Sequence, residues 1–286
     1  MLKCKSRNTY KKSVDYPIVE IPLKLDISCI FDQVEPAAVQ KFATLKGSLG
    51  KAIVRLDTGE CIATVSNEYK LIKHIDMFDN VEQALKMSGL NFILYDINQG
   101  GKNKNRVYVN YILPDYKFEV HGDEYVPYIQ AYSCYDRFLS YGLLTGFYRI
   151  ENESAILIFN KIAARRHLRG KLELREDMID IGKWIAELGE WRKKIKSLLE
   201  TSGSMYSLAV EGENIIKKVI KVRKHRQCFK QLGILTKYIE KYGSNHYALF
   251  VALMEYATHG LWDSKKRRAY DRSRNAQIQI TNMFLK

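Results

Sequence analysis

The chain has 286 residues, 46% of them hydrophobic and 12% aromatic, with 46 Lys and Arg against 32 Asp and Glu and a net charge of +14. That composition builds a real core and excludes disordered and collagen-like chains. No apolar run approaches the ~18 residues of a membrane span, and the start, Met1-Leu2-Lys3-Cys4-Lys5, lacks the apolar stretch of a secretory signal.

Pro17, Pro22 and Pro36 interrupt any long element in the first fifty residues. Ala52–Leu56 and Cys61–Val65 flank Asp57-Thr58-Gly59-Glu60 and read as a β-hairpin. Tyr69–Ile72 is a candidate short strand. A helix follows, capped by Asp76, with Phe78, Val81 and Leu85 on one face and Gly89 as its stop. Strands are predicted at Phe92–Ile97, Arg106–Leu113, Tyr116–Val120, Tyr125–Tyr132, Phe138–Arg149 and Ala155–Phe159. Short loops between neighbouring strands give an antiparallel sheet.

The pattern then turns helical. Met178, Ile181, Ile185, Leu188, Ile195 and Leu198 keep a 3.6-residue period within Leu172–Glu200. Further helices are predicted over Met205–Lys230, Ile234–Tyr242, from a Ser244 cap to Thr258, and over Lys265–Phe284. The fold class is therefore α+β: residues 1–160 form an antiparallel sheet with a packed helix, and residues 161–286 form a basic helical region.

Charge divides the same way. Residues 1–160 carry 19 basic and 19 acidic residues, whereas residues 161–286 carry 27 and 13, which is the whole excess. Three clusters concentrate it without an intervening acid. The first holds Lys161, Arg165, Arg166, Arg169 and Lys171. The second runs from Lys217 to Lys230 and includes Lys218, Lys221, Arg223, Lys224 and Arg226. The third begins Lys265-Lys266-Arg267-Arg268. Any one of these is an ordinary solvated helix face; three in one region point to a polyanionic partner, nucleic acid before an anionic membrane.

No reaction is specified. Gly47-Ser48-Leu49-Gly50-Lys51 has two residues between its glycines where a phosphate-binding loop needs four, and Ala52 where it needs Ser or Thr. The six histidines show neither HExxH nor HxH spacing, and no GxSxG elbow occurs. The five cysteines are scattered without a CxxC pair, which fits reduced thiols in a cytoplasmic setting. Asp115, Glu119, His121, Asp123 and Glu124 form an acidic set able in principle to hold Mg²⁺ for phosphodiester cleavage. Its bland counterpart is a polar hairpin tip. No cofactor is called for, and the reading leans away from an enzyme.

Tyrosine is the other signal: nineteen in all, many on the predicted strands. Tyrosines on a sheet beside cationic helices can stack unpaired bases, although most simply pack. Arg106 and Tyr108, beside the Lys102/Lys104 loop, are the candidates for contact with a strand.

Several stretches resemble a known family. They are Val65-Ser66-Asn67-Glu68-Tyr69-Lys70-Leu71-Ile72, Arg106–Val109, Gly122-Asp123-Glu124 with Val126-Pro127-Tyr128, Tyr132–Asp136, Phe147-Tyr148-Arg149, and Ala252–His259. Through them residues 64–160 and 244–260 resemble the uncharacterised phage/plasmid-like protein family. The chain departs from the family's Asp-Gly-Ser, since Asp136 is followed by Arg137-Phe138, and from the Cys-x-Asn-Gly after its Arg. The resemblance implies a mobile-element setting and no established reaction. The order of helix, antiparallel sheet and basic helices is also similar to phage single-strand annealing proteins, which implies ATP-free binding of single-stranded DNA by a homo-oligomer. A metal-dependent nuclease using Asp115, Asp123 and Glu124 is the alternative, and a phage structural or interaction protein the third reading.

Overall fold

The computed structural model describes residues 18–22, 50–55, 59–66, 71, 73–101, 105–136, 141–151, 154–165, 181–219, 233–260 and 269–285. The predicted hairpin is present as β2 (Gly50–Arg55) and β3 (Glu60–Ser66), and β1 (Ile18–Pro22) pairs antiparallel on the far side of β2. Tyr69, Lys70 and Ile72 of the candidate strand lie outside the described residues. Helix α1 spans His74–Met87, so it starts two residues before Asp76 with Lys73 at its N-cap and no side-chain cap bond. Packing sets its start instead, because Met77, Phe78, Val81, Ala84 and Leu85 form one buried stripe.

The second sheet contains β4 (Ile93–Gly100), β5 (Arg106–Ile112), β6 (Phe118–Val120), β7 (Asp123–Cys134), β8 (Tyr141–Arg149) and β9 (Ser154–Arg165). Its order is β4-β5-β7-β8-β9, all antiparallel, with β6 pairing the start of β7. Tyr116, expected to open a strand, instead ends a short 3-10 turn, Pro114–Tyr116, ahead of β6. His121 and Gly122 both have positive φ, 51° and 81°, which is the backbone a two-residue hairpin between Val120 and Asp123 requires.

Alternation along the strands gives this sheet two covered faces. Val107, Val109, Tyr111, Ile129, Ala131 and Leu143 pack with α1. Tyr108, Ile112, Tyr128, Tyr132, Leu144 and Tyr148 pack with Tyr270 and Ile278 of the last helix. The second face is concave. Tyr95 of β4 and Tyr148 of β8 are hydrogen-bonded through their hydroxyls, with ring centroids 4.7 Å apart. Strands three places apart lie ~14 Å apart in a flat sheet, so the sheet must curl to bring them together. Register shifts at Leu94/Asp96 and around Leu144 supply irregularities that bend strands.

The helical part contains α2 (Ile181–Ser197), α3 (Met205–Val219), α4 (Ile234–Tyr242), α5 (His246–Glu255) and α6 (Ala269–Leu285). A π-helical turn, Tyr256–Gly260, extends α5. The α5 cap is Asn245 rather than Ser244: its side chain accepts from the Ala248 amide. Every residue from Tyr247 to Met254 is buried, so α5 is surrounded on all sides. Tyr125 and Phe147 of the sheet join the same core as Trp191, Ile195, Leu208, Ile216, Tyr238 and Ile280 of the helices. The boundary expected at residue 160 falls inside β9, and one core spans both sides of it.

Leu249→Ala should lower unfolding free energy by about 3 kcal/mol, because Leu249 is fully enclosed and its truncation leaves a cavity. Met87→Ala, at a largely exposed position, should stay within about 0.5 kcal/mol. Urea unfolding of the two variants beside the parent checks the contrast.

Candidate functional site

The most densely bonded polar group is buried between sheet and helices. Asp123 opens β7 and Arg149 closes β8; the register pairs Arg149 with Tyr125, two residues on from Asp123, so the two side chains are diagonal neighbours on one face. Arg149 donates from Nε to Asp123 Oδ2 at 2.9 Å and from Nη2 to Oδ1 at 3.0 Å, a bidentate pair whose side chains are 1% and 0% exposed. Tyr242 of α4 and Tyr247 of α5 donate to the same carboxylate. Tyr238 and Tyr242 also accept from Arg149 and stand beside its guanidinium, whose carbon is 5.2 and 5.8 Å from their ring centroids. Glu151 and Lys241 extend the network to the surface.

Burial pushes the Asp123 carboxyl up, but hydrogen bonds from Arg149, Tyr242 and Tyr247 outweigh it and bring the pKa down to about 2. Burial pushes Tyr242 and Tyr247 up, with Asp123 adding to the rise, so both phenols stay protonated donors. An anion fixed by four donor side chains and shut from solvent is a tie between elements. It is poorly placed to take protons or bind a metal.

A second network joins the concave face to α6. Asp271 Oδ2 accepts from Arg106 Nη1 at 3.0 Å and from the Gly101 amide at 2.8 Å, while Oδ1 accepts from Tyr108 at 2.6 Å. Arg106 Nε reaches Asp136 at 2.7 Å. The approach is close enough that a Cβ at Gly100 would collide with Asp271. Arg274 donates to Gln130 and lies over the rings of Tyr108 and Tyr132. Arg106 and Tyr108, backed from the sequence for contact with a strand, are thus interior, at 5% and 1% exposure. Each is taken up by α6, an element 165 residues away that local sequence does not reveal.

The acidic set does not converge either. Asp123 and Glu124 are successive strand residues and point to opposite faces. Asp123 is sealed with Arg149, whereas Glu124 is exposed, opposite Glu119 and paired with Lys117. Asp115 accepts from Asn91 on the surface, and His121 serves the hairpin turn. Among the described residues no three His, Cys, Asp or Glu are grouped to hold a metal ion.

An accessible groove of about 770 Å³ lies between α3, the start of α5 and the end of α6. Leu198, Ile215 and Phe284 contribute its apolar walls. Tyr206, Val210 and Met283 border it at 80%, 42% and 46% exposure. Its polar lining comes from Ser207, Glu211, Asn214, Lys218 and His246, with His246 Nε2 bonded to Glu211 at 2.9 Å. Lys217 and Lys218 are both exposed in the last described turn of α3, where a cation also complements the helix dipole.

Of the remaining sequence candidates, Arg165 ends β9. Lys102, Lys104, Arg166, Arg169, Lys171, Lys221, Arg223, Lys224, Arg226, Lys265, Lys266, Arg267 and Arg268 lie outside the described residues. The groove escaped the sequence reading. A signal was present within α3: Leu208, Gly212, Ile215 and Ile216 form the buried stripe, and Tyr206, Val210 and Asn214 recur at fourfold spacing off it. Compared with family models, curated proteins and solved structures, the chain matches none. Among the described residues no helix is long and apolar enough to cross a membrane.

Because the Asp123 pKa is depressed from 3.8, its contribution to stability is complete above about pH 4 and is lost as pH falls towards 2. Asp123→Asn should therefore flatten the acid limb of a stability–pH profile while costing about 3 kcal/mol at neutral pH, since it leaves the buried Arg149 with only the half-exposed Glu151 as counterion. Urea midpoints measured from pH 7 to pH 2 read both effects together.

Proposed function

We propose that this chain binds single-stranded nucleic acid, DNA in the first instance, through its basic helical region, in the service of strand annealing or recombination. One observation carries the reading. The exposed Lys217 and Lys218 open an acid-free run of seven cations, on the same helix as the exposed aromatic Tyr206. Cations for phosphates and an aromatic for bases are the two ingredients of sequence-tolerant single-strand binding. The confinement of the +14 to residues 161–286 supports it, since self-repulsion there is relieved by a polyanion. The resemblance to the phage/plasmid family and the similarity to annealing proteins point the same way, to a host-cytoplasmic, homo-oligomeric protein working without ATP. A second reading, a protein-interaction surface of a phage particle or complex, draws on the exposed Val210 and Met283 lining the same groove.

Fluorescence anisotropy of a labelled single-stranded oligonucleotide, titrated at several salt concentrations and competed with duplex, tests the proposal. Binding should fall steeply with salt, resist duplex competition and need neither nucleotide nor metal. Replacing Lys217 and Lys218 by Gln should reduce the log–log salt slope by about 0.7 per lysine. Extending the change to Lys217, Lys218, Lys221 and Lys224 as Glu should abolish binding with the circular dichroism spectrum unchanged. Binding indifferent to salt and to these changes would end the nucleic-acid reading.

A further inference from the structure

The groove beside α3 has a more specific use, which rests on the nucleic-acid reading above. We propose that it takes one unpaired base per protomer, stacked on Tyr206, while Lys217 and Lys218 hold phosphates a few nucleotides further along the same strand. This site makes the protein prefer single strands to duplex.

Tyr206 is the most exposed large hydrophobic side chain among the described residues, at 80%. An aromatic left in water gains by covering its face. Its backbone is nevertheless firmly held. Ser204 caps α3 by accepting from the Ser207 amide at 3.1 Å, and the Leu208 amide bonds the Ser204 carbonyl at 3.0 Å. The connection before it is stitched to the start of α5: the Gly203 amide donates to Ser244, His246 to Thr201 and Tyr247 to Leu198. The ring therefore stands on a fixed support, which lowers the ordering cost of stacking.

The groove's chemistry favours a base over an apolar protein helix. Its volume, about 770 Å³, suits a small ligand rather than a broad interface. Lys218, Glu211, Asn214 and Ser207 line it together with apolar walls; Lys, Glu and Ser are depleted at the centre of protein interfaces. An amide and a carboxylate beside an apolar slot match the donors and acceptors on a base edge. Glu211 is held by His246 Nε2 at 2.9 Å, and Lys218 lines the same groove. Along α3, twelve residues separate Tyr206 from Lys218, which is ~18 Å of helix. That length matches about five nucleotides at the ~3.4 Å stacked spacing, and fewer when the strand is drawn out. A strand entering at Tyr206 thus runs toward the cationic end of the helix. Duplex DNA hides its base faces in the stack and has nothing to offer Tyr206, so it binds through phosphates alone.

The test compares the full-length protein with Tyr206→Ala and Tyr206→Phe, titrated into labelled oligothymidine and into a duplex of equal length. Tyr206→Ala should weaken single-strand binding about tenfold, leave duplex binding and the salt slope unchanged, and so narrow the preference. Tyr206→Phe should stay within about twofold, since stacking needs the ring and not the hydroxyl. Photocrosslinking with an oligonucleotide containing 5-iodouracil should place the adduct on Tyr206. Steeply salt-dependent binding that Tyr206→Ala leaves untouched overturns the base site and spares the function proposed above. Absence of any binding by the parent protein overturns both. A loss of self-association in Tyr206→Ala, with oligonucleotide affinity intact, overturns the base site in favour of a contact between protein copies.

Discussion

Sheet and helices are held together by a charge pair taken out of water. Asp123 and Arg149 lie at the ends of adjacent strands, and the elements that satisfy the rest of their hydrogen-bonding capacity are α4 and α5, through Tyr238, Tyr242 and Tyr247. A buried ion pair without such partners costs more in desolvation than it returns. Here the phenols supply the missing donors, so the pair is stable only when the helices are in place. The tertiary arrangement and the pair therefore depend on each other, which is a device for specificity: a shifted helix leaves an uncompensated charge inside.

The same logic operates on the concave face. Asp271 brings α6 against Arg106, Tyr108 and the Gly101 amide, and Arg274 engages Gln130 on the neighbouring strand β7. Curling of the sheet makes room for this helix, and the contact between Tyr95 and Tyr148 marks how far the curl has gone. Many of the tyrosines so conspicuous in the sequence are spent here, as amphipathic wedges whose rings fill the core and whose hydroxyls satisfy buried charges. Their abundance on the strands belongs to the fold's internal polar economy. It does not mark a stacking surface on the sheet.

Arg106, Tyr108, Asp123 and Arg149 of the sheet are engaged internally, and the proposed recognition is placed on the helices. The groove beside α3 combines an exposed ring, apolar walls and cations, and it faces solvent on a scaffold fixed by backbone bonds between α2, α3 and α5. Rigid support beneath exposed chemistry is the usual arrangement for a binding surface. The basic excess lies in the half of the chain that contributes most of the helices, so the proposed phosphate contacts and the proposed base site belong to the same part of the sequence.

Local chemistry by itself determined the element types. The apolar period of α1, the turn residues between β2 and β3, and the His121-Gly122 hairpin act over a few residues, so α+β with an antiparallel sheet was legible without any distant contact. Charge asymmetry was equally legible, being a property of composition. Cap positions were less so: α1 begins ahead of Asp76 and α5 is capped by Asn245, because packing of the buried stripe decides which neighbouring polar residue lies at the helix end. The fates of Arg106, Tyr108 and Asp123 were decided only in three dimensions. Nothing near them in the chain announces Asp271, Arg149 or Tyr247, and a charged side chain reads as surface until its partner arrives from another element. Tyr206 is the converse: nothing local singles it out among nineteen tyrosines, and only the packing of α3, which turns Leu208, Ile215 and Ile216 inward, leaves it facing water.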